Sequence, residues 1–208
     1  MRGGMTAPAP SATDVLIVGA GIAGASLAAA LAPYRRVMMM EAEDMPGYPP
    51  TGRSAPFWLE SYGGAGVQPL SAASFATLAD PPAEFSSRGF LFPRTALTLG
   101  RGEEAAAVDA FYAEFAAKGV DVTRMGWADI ARMIPGVRSG WSEAAYEPAC
   151  SDIDVGRLHR AYLRAAKRGG AVLVTRAPLK SARRVDGGWE VLVGGDRWAT
   201  GRPILAND

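Results

Sequence analysis

The stretch VLIVGAGIAGASLAAALA, residues 15–32, contains no charged side chain. An apolar run of about 18 residues or more is long enough to span a bilayer. Three glycines decide against that reading. Gly19, Gly21 and Gly24 keep a G-x-G-x-x-G spacing, which a lipid-facing helix has no reason to keep. A strand-to-helix turn that holds a dinucleotide needs all three. The first permits the tight turn, the second lets backbone approach a pyrophosphate, and the third lets helix and strand pack closely. The helix that follows offers N–H groups and a partial positive charge to phosphate.

The flanks support the turn. Residues 14–18 (DVLIV) are apolar and β-branched, as in a strand buried on both faces of a parallel sheet. Residues 25–32 form an alanine-rich helix stopped at Pro33, and residues 36–41 (RVMMME) return as a second buried strand. Glu41 stands 20 residues beyond Gly21, where a carboxylate accepts hydrogen bonds from ribose hydroxyls and disfavours a 2′-phosphate. A nicotinamide dehydrogenase would continue at once with a helix and a third parallel strand. Residues 42–66 instead lack a helical period and hold PGYPPTGRSAP and SYGGAG, so an NAD-dependent dehydrogenase is the weaker enzyme reading.

Beyond the loop, helical patterns are expected at 71–78, 103–118, 127–134 and 155–168, the last capped by Asp154 and closed by Gly169-Gly170. Residues 90–99 look strand-like, and no acid occurs among them. A strand over 171–175 precedes strands over 179–185 and 189–193 about Asp186-Gly187-Gly188, a hairpin signal. With 197–200 these make a small antiparallel meander, and residues 203–206 (PILA) begin another apolar strand.

Charge and cysteine content narrow the classes. With 22 basic and 21 acidic residues the net charge is +1, which gives no electrostatic reason to expect nucleic acid or an anionic membrane as partner. One cysteine, Cys150, rules out an internal disulfide and fits a reducing, cytoplasmic compartment. With the single histidine, His159, it could form a nucleophile pair, but the surrounding motif for such chemistry is missing and a buried structural thiol is the better reading. No metal site is expected. The first dozen residues, rich in Gly, Pro, Ala and Ser, read as a disordered leader.

DVLIVGAGIAGASLAAALA followed by MMMEAEDMPGYPPTGRSA resembles the D-amino acid oxidase superfamily of FAD-dependent oxidoreductases, in particular its D-arginine dehydrogenase and glycine oxidase branches. The resemblance continues through DPPAEF, YEPACSDIDVGRLHRAYLRAAKRGGAVLV and RRVDGGWEV. It implies an α/β fold: a Rossmann-like FAD-binding domain with an antiparallel meander, from residues 13–66 and 150–208, plus part of an α+β substrate domain over 67–149. By the same resemblance FAD is the cofactor, held by Gly19, Ala20, Gly21, Ile22, Ala23, Gly24, Glu41 and Ala42. Thr51, Gly52, Arg53, Ser54 and Ala55 would line the pyrophosphate and flavin, and the Leu179 backbone would meet the adenine. The loop also agrees with FAD on its own terms, since an extended cofactor needs a second contact segment with small residues, hydroxyls and a cation.

The implied reaction is oxidation of a CH–NH bond of a small amino acid or amine, with hydride passing to flavin N5 and the imine hydrolysing to a keto acid and ammonia. The electron acceptor is left open, and no side chain is singled out as acid or base. Tyr62 stands where a tyrosine can close over the flavin, with plain packing as the equal alternative. Phe57 and Trp58 occupy positions where a polar or histidine side chain would more often face substrate. With the acid-free 90–99 segment, they argue for apolar or small substrates and against D-arginine. The arginine and tyrosine that grip the substrate carboxylate in the family would lie beyond PILAND. The chain is therefore expected to correspond to an N-terminal portion without turnover of its own. A non-catalytic nucleotide-binding fragment is the alternative from another class.

Overall fold

The computed structural model describes residues 12–47, 55–193 and 196–205. The chain divides into two units, one from Met1–Ala55 with Val155–Asp208, the other from the intervening Pro56–Asp154. In chain order the first unit opens with β1 (Ala12–Val18), α1 (Ile22–Leu31) and β2 (Val37–Met40). The intervening unit carries β3 (Phe57–Trp58), α2 (Gln68–Ala79), β4 (Leu91–Pro93), β5 (Ala96–Gly100), α3 (Ala105–Ala116), β6 (Thr123–Gly126), α4 (Trp127–Met133), β7 (Glu143–Glu147) and β8 (Ser151–Ile153). The first unit then resumes with α5 (Val155–Arg168), β9 (Val172–Val174), β10 (Leu179–Val185), β11 (Gly188–Val193) and β12 (Asp196–Leu205).

The first unit is built on one six-stranded sheet in the order β10-β11-β12-β1-β2-β9. β1 runs parallel to both β12 and β2, and β2 runs parallel to β9. Period-2 alternation sends the side chains of these strands to two different layers. Val15, Ile17, Val37 and Met39 pack with Ala28 and Ala32 around α1 and with Ala166 of α5. Leu16, Met38 and Met40 point the other way and pack with Ala177, Val191 and Val193. Both faces of β1 and β2 are covered, which is why these strands read as unbroken apolar runs. α1 (IAGASLAAAL) carries no charged side chain because it lies between the sheet and α5. α5 is amphipathic, with Leu158, His159, Ala161 and Ala166 buried and Arg160, Arg164, Lys167 and Arg168 exposed.

The apolar stretch of residues 15–32 is, as expected, a strand, a turn and a ten-residue helix, and no helix among the described residues is long and apolar enough to cross a membrane. Two other expectations change. The third parallel strand, looked for just after β2, does exist. It is β9, reached after more than 130 residues and paired along the outer edge of β2. The meander and the final apolar strand are likewise not separate. β12 is one strand of ten residues, antiparallel to β11 over its first half and parallel to β1 over its second. The two strands expected at 197–200 and 203–206 run together because partners on either side, β11 and β1, carry the ladder through.

In the second unit β3-β8-β4 form one small sheet and β5-β7-β6 another. α3 lays Val108 and Phe115 against Ala145 of β7 and against Val120 and Val122. The strand β3 lies inside the expected loop of 42–66. Its two residues face opposite ways: Phe57 is exposed, whereas Trp58 is buried, its indole N–H donating to the Ser71 carbonyl at 2.8 Å and its ring 4.7 Å from that of Phe75. Only Phe57 of the pair can meet a ligand. Trp58 is core.

Candidate functional site

Parallel pairing sets the carboxyl ends of three strands side by side, with Val18 opposite Met40 and Met40 opposite Val174. Ligands of open α/β sheets bind outside these ends, and the Gly19–Gly24 turn and Glu41 lie there. The Gly19 amide donates to the Met40 carbonyl at 2.8 Å, which starts the turn at the sheet edge. Gly19 has a φ of +92°, a left-handed conformation that L side chains rarely adopt. A Cβ on Gly24 would stand 2.0 Å from the Gly19 carbonyl oxygen and 3.2 Å from the Ile17 side chain. So the helix meets the strand at a distance only glycine allows. Gly21 has an ordinary extended backbone, φ −71°, and its missing side chain answers to no torsional need.

α1 begins at Ile22 with no side-chain cap and no acidic residue in its first turn. An uncapped, acid-free helix start is suited to an anion. Beside it sits Glu41, only 7 % exposed. One carboxylate oxygen accepts from the Ala20 amide at 3.0 Å and the other from the Glu43 amide at 3.0 Å. A carboxylate has about four lone-pair directions, so these two bonds orient Glu41 and leave capacity for further donors. The segment around Glu41 is held in turn by the chain after β9. The Glu41 amide donates to the Val174 carbonyl, and the amides of Arg176 and Ala177 donate to the carbonyls of Glu43 and Glu41.

The other expected residues fall as follows. Ala20 is buried, Ala23 and Ala42 are exposed, and Leu179 opens β10, half-buried against the Leu16 and Met38 layer. Thr51, Gly52, Arg53 and Ser54 lie outside the described residues, and Ala55 just beyond them is exposed. In the second unit Tyr62 is 67 % exposed, its ring edge-on to Phe57 at 5.7 Å between centroids. The residue before it is anchored: Ser61 donates through its hydroxyl and its amide to Glu147, both residues being buried. Burial raises the Glu147 carboxyl above its ordinary range, against the pull of the Ser61 hydrogen bonds. Cys150 is buried and its thiol is likewise pushed up by burial, the reverse of what a nucleophile needs.

One residue's place at the turn was not read from the sequence. His159 is buried, and its Nε2 lies 2.7 Å from the Ala20 carbonyl oxygen. Gly47, with φ +78°, leaves space for the same ring: a Cβ there would be 2.7 Å from its Cε1. The available signal was a histidine on the inward face of an amphipathic helix, next to Leu158.

The family of FAD dependent oxidoreductases known as DAO matches residues 14–206 of this chain. The chain belongs to that family. The DAO fold is also what solved structures share with it. Glycine oxidase from Geobacillus kaustophilus is 23 % identical with a TM-score of 0.81, over 95 % of this chain and 56 % of its own. L-Proline dehydrogenase from P. horikoshii is 19 % identical with a TM-score of 0.81, over 96 % and 54 %. L-α-Glycerophosphate oxidase from Mycoplasma pneumoniae, solved with FAD bound, is 15 % identical with a TM-score of 0.78, over 92 % and 53 %. The chain thus spans about half the length of these structures. FAD is the cofactor of the DAO family, and the residues at the sheet edge fit it. The close approach at Gly24, the uncapped helix start and the oriented Glu41 are what a dinucleotide requires.

Proposed function

We propose that this chain forms the dinucleotide-binding part of an FAD-dependent oxidoreductase that oxidises a CH–NH bond of a small amino acid or amine. The observation that carries this reading is the pairing of the Gly19–Gly24 contact with the oriented, buried Glu41, in a chain that belongs to the DAO family. In this assignment Gly19, Ala20, Gly21, Ile22, Ala23 and Gly24 form the turn and helix start that hold the pyrophosphate. Glu41 takes the adenosine ribose hydroxyls, with Ala42 beside it. Thr51, Gly52, Arg53, Ser54 and Ala55 form the second contact segment, and the Leu179 backbone meets the adenine. Bound FAD would supply the two-electron acceptor.

The chain's own residues bind and orient. Glu41, held by the amides of Ala20 and Glu43, serves as a fixed acceptor. Phe57, exposed with Tyr62 edge-on to it, supports an apolar or small substrate. Tyr62 is the candidate lid, because its loop is tethered at Ser61 while its own ring stays open to solvent.

The test is binding of FAD, FMN and NAD to the purified chain by flavin fluorescence and calorimetry. FAD should win, and Glu41→Ala should weaken it by about 1.5–3 kcal/mol, the range for a hydrogen bond to a charged group. Equal affinity for FMN, which lacks the adenosine, would sink the assignment. In turnover assays, highest kcat/KM on D-arginine or D-lysine would overturn the substrate reading.

A further inference from the structure

We infer that His159 is a positioning residue for the cofactor turn: it sets the direction of the Gly21 amide that meets the pyrophosphate. The inference rests on the reading of that turn as the FAD site. Its geometric basis is the contact from α5 to Ala20, 139 positions apart in sequence, between a buried imidazole Nε2 and a carbonyl oxygen 2.7 Å away. A carbonyl oxygen only accepts, so Nε2 is the nitrogen that carries the proton.

That bond has a consequence one atom further on. In a trans peptide the C=O and the following N–H point in opposite directions, and the chain has no cis peptide among its described residues. The Ala20 carbonyl points to His159, so the Gly21 N–H points away from it. The neighbouring peptide is fixed by the same logic. The Ala20 amide points to Glu41, so the Gly19 carbonyl points away from Glu41, and it lies against the Cα of Gly24. Two successive peptide planes of the turn are therefore set by two side chains, Glu41 from β2's end and His159 from α5. A hydrogen bond donated to a carbonyl also polarises the amide it belongs to and strengthens its N–H as a donor. His159 thus aims the Gly21 amide and sharpens it for an anion. Gly47 makes room for the ring: it has a φ of +78°, and a Cβ there would stand 2.7 Å from Cε1, so a side chain at this position would displace the imidazole.

The chain has a single histidine, so imidazole resonances in a ¹⁵N-edited NMR spectrum report this ring alone. Nε2 should carry the proton, and the resonance should move on saturation with ADP, which carries the pyrophosphate, and not with adenosine. His159→Leu should weaken FAD and ADP alike by about tenfold or more, a step of roughly 1.4 kcal/mol, and leave adenosine unchanged. His159→Gln, which keeps an N–H donor at about the same reach, should recover most of that loss. A bare Nε2 with the proton on Nδ1 would overturn the inference. So would a folded His159→Leu chain that binds FAD and ADP as the parent does, or an equal loss for adenosine. If His159→Leu fails to fold, the tautomer and the His159→Gln titration decide. A parent chain that binds neither FAD nor ADP would overturn the cofactor reading itself, and this inference with it. Binding by the parent with an indifferent His159 would overturn this inference alone.

Discussion

A Cβ added to Gly24 would lie 2.0 Å from the carbonyl oxygen of Gly19. Both partners are backbone, so neither can yield by changing rotamer. Gly24→Ala must push α1 off the end of β1 or unwind its first turn. Overpacking of a well-fitted interior costs about 1–3 kcal/mol, and here the strain falls on the turn itself. We expect a loss of that size in denaturant unfolding, together with loss of FAD binding. A variant as stable as the parent would show that the turn is looser than this contact implies.

Glu147 supplies a pH dependence with a definite sign. Burial raises its carboxyl above the ordinary value of 4.5, so the folded chain holds this proton more tightly than the unfolded chain does. The stability from that preference is fully present below the ordinary value and is lost as pH rises through the raised one. Glu147→Gln does not titrate and keeps an oxygen for the Ser61 hydroxyl. Its stability relative to the parent should therefore increase as pH is raised from about 4 to 8. Melting temperatures across that range check this, and a difference independent of pH would contradict it.

The interface between α1 and α5 depends on small side chains. Ala28, Ala161 and Ala166 are fully buried, and a Cβ on Gly169 would stand 2.8 Å from that of Ala32. Ala28→Leu and Gly169→Ala should each destabilise the chain by about 1–3 kcal/mol. Because α5 carries His159, either change should also weaken FAD. Unfolding in urea followed with a FAD titration separates the two effects.

How much of this was legible in advance depended on where each signal resides. β1, the turn, α1, β2, α5 and the hairpin about Asp186-Gly187-Gly188 carry their cues within a few residues, as glycines, apolar runs and helical spacing. The short strands of the second unit do not. β7 reads EAAYE, whose alanines and glutamates favour helix, yet it is the central strand between β5 and β6, with Ala144 and Ala145 buried. Its strand character comes from partners some 20 and 45 residues away and from burial, which only the fold supplies. β8 (Ser151–Ile153) is set by β3 and β4 in the same way. At the candidate site, Gly19, Gly24 and Glu41 declare themselves by spacing. His159 shows in sequence only as a histidine on the inward face of α5; its partner is a backbone carbonyl, which leaves no mark there.

The placement of the second unit between β2 and α5 also sets a timetable for synthesis. At about 5–20 residues per second, the ribosome needs on the order of ten seconds to travel from the end of β2 to the start of α5. During that interval β1, α1 and β2 have emerged, but α5, β9 and the meander that cover them have not. The apolar strand VMMM must wait uncovered while the whole of Pro56–Asp154 is made. The intervening unit, continuous in sequence, has every partner of its own sheets in hand before the first unit can close. Nascent chains stalled just before Val155 should bind hydrophobic-surface chaperones through the β1–β2 segment, and release them once β12 clears the exit tunnel.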